Sequence, residues 1–342
     1  MAAAPTGRNR PLVTPDPFAH RFITAANGRL VVAHRRPDTV ISQDWSVQLD
    51  ASGSCTDAKL VDSGRLIAAL VGRFAGLVDH ASQQVVFKTP PCLLGEHAIE
   101  LIPGPYLVLA CSLKGHTTGL RVFDACGARS ERDPVQVKSL PSAHALRWDE
   151  QTQSLWAIGT NRFPYVKDDS PLCAVHGVLV RYPYIGKPCQ PLGDPVVYPL
   201  RDSPKVPGWP GWRDGPHDLV PIPQTRTFLL STDMDVFEFD IDKADPLGKP
   251  PEQNFIPASQ GTLAGFRPRR NEDGLSKVKA MSVAADNSIL IAQADAGDYS
   301  TYLVSYSPGS RVRSDLQLPY ETYRARWFEE TAGWPSAPYN GG

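Results

Sequence analysis

The sequence predicts an all-β chain folded as a single β-propeller with a polar central channel. Six blades is the reading adopted, and seven is the runner-up. Three observations carry it. Short apolar runs rich in β-branched and aromatic residues recur along the chain, which is strand composition. They are separated by turn residues such as Asp62-Ser-Gly, Pro103-Gly-Pro and Ala285-Asp-Asn, and no long stretch has helical periodicity. The runs group into about six units spaced roughly 40 residues apart, the repeat of a blade of four short strands.

The first unit begins at Arg29-Leu-Val-Val-Ala-His34 and the second at Asp57-Ala-Lys-Leu-Val. The third, fourth and fifth open on His97-Ala-Ile-Glu-Leu-Ile-Pro, His144-Ala-Leu-Arg-Trp-Asp-Glu and His217-Asp-Leu-Val-Pro-Ile-Pro. The sixth begins at Lys279-Ala-Met-Ser-Val. The segment at Arg324-Ala-Arg-Trp-Phe is read as a last strand that closes the ring on the N-terminal blade. A β-sandwich would also use short strands, but it gives no reason for histidines at one repeat position. The expected organisation is an extension over 1–27, one propeller over 28–328 and a tail over 329–342. Long Pro-rich insertions fall within 161–215.

Composition narrows the partners. The chain has 342 residues, 42% of them hydrophobic, and a net charge of −1. That balance creates no field to draw nucleic acid or an anionic membrane. No apolar run reaches about 18 residues, so no transmembrane helix is expected. A monomer is the reading for assembly. The polar start lacks the apolar core of a signal peptide. Six cysteines occur without a C-x-x-C pair, which argues against structural zinc. Cys173 and Cys189 flank one strand and are the expected bridge.

One repeat position should be one place in space, and in a radial fold three imidazoles there converge on the axis. At the same position the other units are read as holding Lys59, Lys279 and Arg324. Like charges gathered away from water repel and lose hydration, so the ring requires an anion. It can be an acidic side chain, with Glu100, Asp149 and Asp218 nearby, or an acidic ligand. In the 161–215 insertions, Trp209, Trp212 and Tyr165 suit stacking on sugar faces; packing of the loops is the other reading. There is no G-x-S-x-G, H-E-x-x-H, P-loop or G-x-G-x-x-G.

The segments opening at His97, His144 and His217, with Leu155-Trp-Ala-Ile-Gly and Tyr323-Arg-Ala-Arg-Trp, resemble a family of propeller-like bacterial proteins, domain of unknown function 6528. The resemblance covers about residues 28–328 and implies secretion, with a cytoplasmic location as the alternative. More loosely, the layout looks like that of propeller polysaccharide lyases. That comparison implies β-elimination on an acidic, uronate-containing poly- or oligosaccharide. His97 and His144 would act as base and acid, His217 would orient, and Lys59, Lys279 and Arg324 would neutralise the carboxylate. A non-catalytic propeller binding an acidic glycan or a protein is the alternative. A third reading is a metal-dependent hydrolase or lyase in which His97, His144 and His217 are ligands of one divalent ion, calcium, manganese or zinc. The neighbouring cations oppose tight metal binding.

Overall fold

The computed structural model describes residues 20–35, 41–51, 55–92, 95–112, 118–126, 133–165, 174–209, 211–263, 266, 268–271, 273–294, 300–306 and 313–340. Six small antiparallel sheets form a ring. The first blade contains Phe22–Ala26, Arg29–Arg35 and Ile41–Gln48, and its innermost strand is Arg326–Trp327 from the other end of the chain. Phe22 pairs with Trp327 and Ile23 with Arg326, so the ring closes on its own N-terminus as expected. The blade starts at Phe22, inside the expected extension.

The remaining blades are each built outward from one inner strand. Those strands are Cys55–Val61, Glu96–Ile102, Ala145–Asp149, Pro216–Pro221 and Val278–Val283. Apolar side chains from neighbouring blades pack face to face, and this interleaving is the core. One cluster joins Ile67 and Ala69 with Leu30 and Val32 between the first two blades. Another brings Trp156 and Phe228 together between the fourth and fifth. Both faces of the middle strands are therefore covered, which is why Leu66–Val71 and Ser154–Thr160 are buried along their whole length.

The tail beyond Glu329 crosses the far end of the channel. Its Ala332 carbonyl accepts the Gln224 amide, and buried Trp334 donates its indole N–H to the Ile222 carbonyl. Tyr339 donates its backbone N–H to Asp62 and its hydroxyl to the Ala125 carbonyl. Among the described residues, no helix is long and apolar enough to cross a membrane. Cys189 carries an exposed free thiol, and Cys173, its expected partner, lies outside the described residues.

Candidate functional site

Four inner strands carry a register shift near the same end. It falls between Cys55 and Asp57, Glu96 and Ala98, Pro216 and Asp218, and Val278 and Ala280. The skipped residues are Thr56, His97, His217 and Lys279. A bulge leaves one residue out of the ladder and re-aims its side chain. His144 stands in the corresponding place just before its strand, where its amide donates to the Ile158 carbonyl.

His97, His144 and His217 line one central cavity of about 600 Å³. The His97 and His144 rings stack with centroids 4.2 Å apart, and His217 meets His144 edge-on at 5.4 Å. Burial, then the positive charges of Arg324 and Lys279 among its neighbours, hold the His97 imidazole down at about 3. His144 is also held well below its ordinary value, chiefly by burial. Both rings are therefore neutral at neutral pH. One His144 nitrogen, Nδ1, lies 2.7 Å from the Ser142 carbonyl oxygen, which sets it as the donor. His217 Nε2 lies 2.8 Å from Asp233 Oδ1 and 3.0 Å from Lys279 Nζ.

The cations do not form the expected rim. Lys59 lies three residues past its strand's bulge, because Thr56 occupies the histidine position. Its ammonium points deeper, to Glu100 at 3.3 Å, Asp57 at 3.2 Å and the Leu146 carbonyl, and it lines a small separate void of about 40 Å³. Lys279 sits behind the wall, paired with Asp233 at 3.0 Å, its ammonium 5.5 Å from the Trp209 ring centroid. Arg324 is fully buried beneath the imidazoles and donates to the carbonyls of His144 and His217. The anions that balance the ring are side chains. Asp57 and Asp218 lie 3.5 Å from Arg324 and bond Arg326 directly; against the cost of burial, Lys59, then Arg326 and Arg324, hold Asp57 well in the ionised range, and Arg324 and Arg326 hold Asp218 there. Of the other acids expected there, Glu100 serves Lys59 and Asp149 pairs with Arg226 away from the axis.

The aromatic side of the cavity comes from the insertions. Trp209, Trp212 and Phe163 line it, together with Pro164 and Arg213. The two insertions are joined by the Tyr165–Trp212 bridge and the Arg213 amide donating to the Pro164 carbonyl, and the second is closed on itself by the Lys205–Arg213 bridge. Tyr165 is exposed and braces Trp212 edge-on at 5.7 Å instead of lining the cavity. Asp233, Tyr323, Ser112 and Ser142 also line it, and sequence reading did not single them out. Asp233 was visible only as part of the turn Thr232-Asp-Met-Asp. Tyr323 adjoins Arg324 and lies 5.5 Å from the His97 ring.

The imidazoles are not arranged as a metal-ligand set. His97 and His144 meet face to face, and among the described residues no group of three His, Cys, Asp or Glu is placed to hold a metal ion.

No family model matches the chain, so none supports its assignment to domain of unknown function 6528 beyond the propeller fold, and no curated protein matches it. Solved structures do resemble it. A chain in the crystal structure of a nidogen/laminin complex matches at 8% identity and a TM-score of 0.55, covering 90% of this chain and 98% of that one. A protein of unknown function from Bacteroides caccae matches at 11% identity and a TM-score of 0.49, over 91% and 99%. At such identities only the fold is shared. The chain is a six-bladed β-propeller.

Proposed function

We propose that the central cavity binds an acidic, uronate-containing glycan and that its imidazoles carry out β-elimination on it. The observation that carries this reading is the meeting of three histidines with an aromatic wall in one cavity. Trp209, Trp212 and Phe163 offer flat apolar faces to a sugar ring, and the imidazoles offer polar contacts opposite.

In the elimination, the proton on the carbon next to the carboxylate passes to one imidazole. The C–H electron pair forms the new C=C bond, the bond to the neighbouring sugar's oxygen breaks, and that oxygen takes a proton from a second imidazole. His97 and His144 are the base and acid in this scheme, with His217 oriented by Asp233. Because His144 Nδ1–H is held by the Ser142 carbonyl, the proton that His144 delivers is one its Nε2 takes up when the acidic substrate binds, while His97 stays neutral as the base. With no carboxylate beside it His97 is a weak base, since burial and the Arg324 charge hold it at about 3. A substrate carboxylate reverses the sign of the local charge and raises its basicity. Lys279 and Arg324 contribute from behind the wall and floor, through their field and not by contact.

Incubation with a panel of uronate polysaccharides, followed by ultraviolet absorbance of the unsaturated product, tests the chemistry. No product from any polymer removes the elimination reading.

The insertion residues favour one second reading, a non-catalytic glycan binder, since Trp209 and Trp212 line the cavity directly. Binding and turnover of His144→Ala and of the double variant Trp209→Ala, Trp212→Ala separate the two. An enzyme loses about 10²-fold or more in turnover with His144→Ala while keeping its ligand. A binder loses affinity, by about 2 kcal/mol or more, with the tryptophan pair.

A further inference from the structure

We propose that the cavity takes the end of a glycan chain, or a short oligosaccharide, and does not engage the interior of a long polymer. This rests on the reading of the cavity as a glycan site.

The cavity is blind. Behind the imidazoles that line it, the channel is filled by the Arg324 guanidinium, fully buried and tied by its Nη2 to the carbonyl oxygens of His217 at 3.0 Å and His144 at 3.3 Å. A second guanidinium lies beyond it. Arg326 donates to Asp57, to both oxygens of Asp218 and to the Met281 carbonyl, which ties three inner strands together around the axis. The C-terminal tail then covers the far end, where Arg147 donates to the Trp334 carbonyl at 2.8 Å. A chain therefore cannot thread the channel.

The imidazoles stand directly above this filled section, since the carbonyls of His144 and His217 are the ones that Arg324 holds. His217, which orients the reacting pair, is only 8% exposed, and the reacting rings of His97 and His144 are half-buried. A reacting bond must descend to that depth. A chain end does so with one arm leaving the mouth. A chain interior needs two arms to turn upward within one sugar spacing, one past Trp209 and Trp212 and the other past Tyr323. The stiffness of linked sugar rings opposes that double turn.

The test uses the full chain with a uronate homopolymer and with a short oligomer of the same sugar. If the protein cleaves, product size is followed by chromatography from the first time points. Products of one or two sugar units beside residual polymer of nearly full length are expected. An early spread of intermediate lengths overturns the inference and leaves the proposed function standing. If the protein binds without cleaving, the number of copies bound per chain at saturation is measured. One or two copies whatever the chain length is expected; copies in proportion to length overturn the inference. Neither product nor binding with any uronate chain overturns the proposed function, and this inference with it.

Discussion

Acidification should unfold this protein along a slope set by three named groups. An imidazole held neutral in the fold gains its proton only on unfolding, so it destabilises the fold as pH falls below its ordinary value of 6.5. For His97 that loss continues down to about 3, and His144 behaves in the same direction. Asp214 acts oppositely. Burial and the charge of Asp233 push its carboxyl up to about 7, so the fold holds a proton that the unfolded chain releases until 3.8. Its contribution therefore grows as pH falls through that window. Asp57, Asp218 and Asp233 have lowered values, so their stabilisation is lost only below 3.8. Each proton of difference is worth about 1.4 kcal/mol per pH unit. Two histidines against one aspartate leave a net loss of about 1.4 kcal/mol per unit, or about 3 kcal/mol between about pH 6 and 4. Urea denaturation across that range measures it. Asp214→Asn removes the opposing group and should double the slope to about 2.8 kcal/mol per unit, while His97→Gln should bring it near zero. A wild-type stability that is flat or rises on acidification, or a His97→Gln slope equal to that of wild type, refutes the reasoning.

Two further substitutions probe the axis and the tail. Arg326→Met strips Asp57 and Asp218 of their closest buried partner and should cost about 3–5 kcal/mol in denaturant unfolding, whereas a loss under about 1 kcal/mol would show the cluster to be exchangeable for apolar packing. Trp334→Ala empties a buried site over the fifth blade and should cost about 3–5 kcal/mol if the tail is an integral layer; a negligible change in the urea midpoint would show it to be a detachable strap.

The architecture was legible because strand composition and repeat spacing are local signals that the ring then satisfies. The second blade shows this. Leu66–Val71 reads as a strand from its apolar run and turn-rich flanks, and its full burial follows from covering blades on both sides. Ring closure was legible for another reason, since Arg324-Ala-Arg-Trp-Phe is a strand with no unit of its own. The blade's starting point was less visible. Phe22–Ala26 is only five residues long and owes its place to pairing with Trp327, a partner some 300 residues away in sequence that no local pattern announces.

The site shows where a repeat position is not the same as a residue offset. Counting from the strand's apolar core put Lys59 beside the histidines, but the bulges, not the apolar residues, mark the common level. In the second blade that level holds Thr56, whose hydroxyl bonds the Leu70 carbonyl. A three-residue displacement carries Lys59 further down the channel, to Glu100. The need for an anion was read from charge alone, and Glu100 and Asp218 were among the acids expected to meet it; Asp57 and Asp233 were not, because Asp57 stands one residue past a bulge that no local pattern marks and Asp233 lies on a neighbouring turn. Each cation of the ring has a carboxylate of the chain itself within 3.5 Å. A glycan carboxylate would thus enter a network already balanced, and it would be recognised through what that network leaves neutral, the two stacked imidazoles. Of the polar groups at the cavity wall, those rings are the ones whose charge an arriving anion would change most, which makes proton uptake on binding the physical signature of an acidic ligand here.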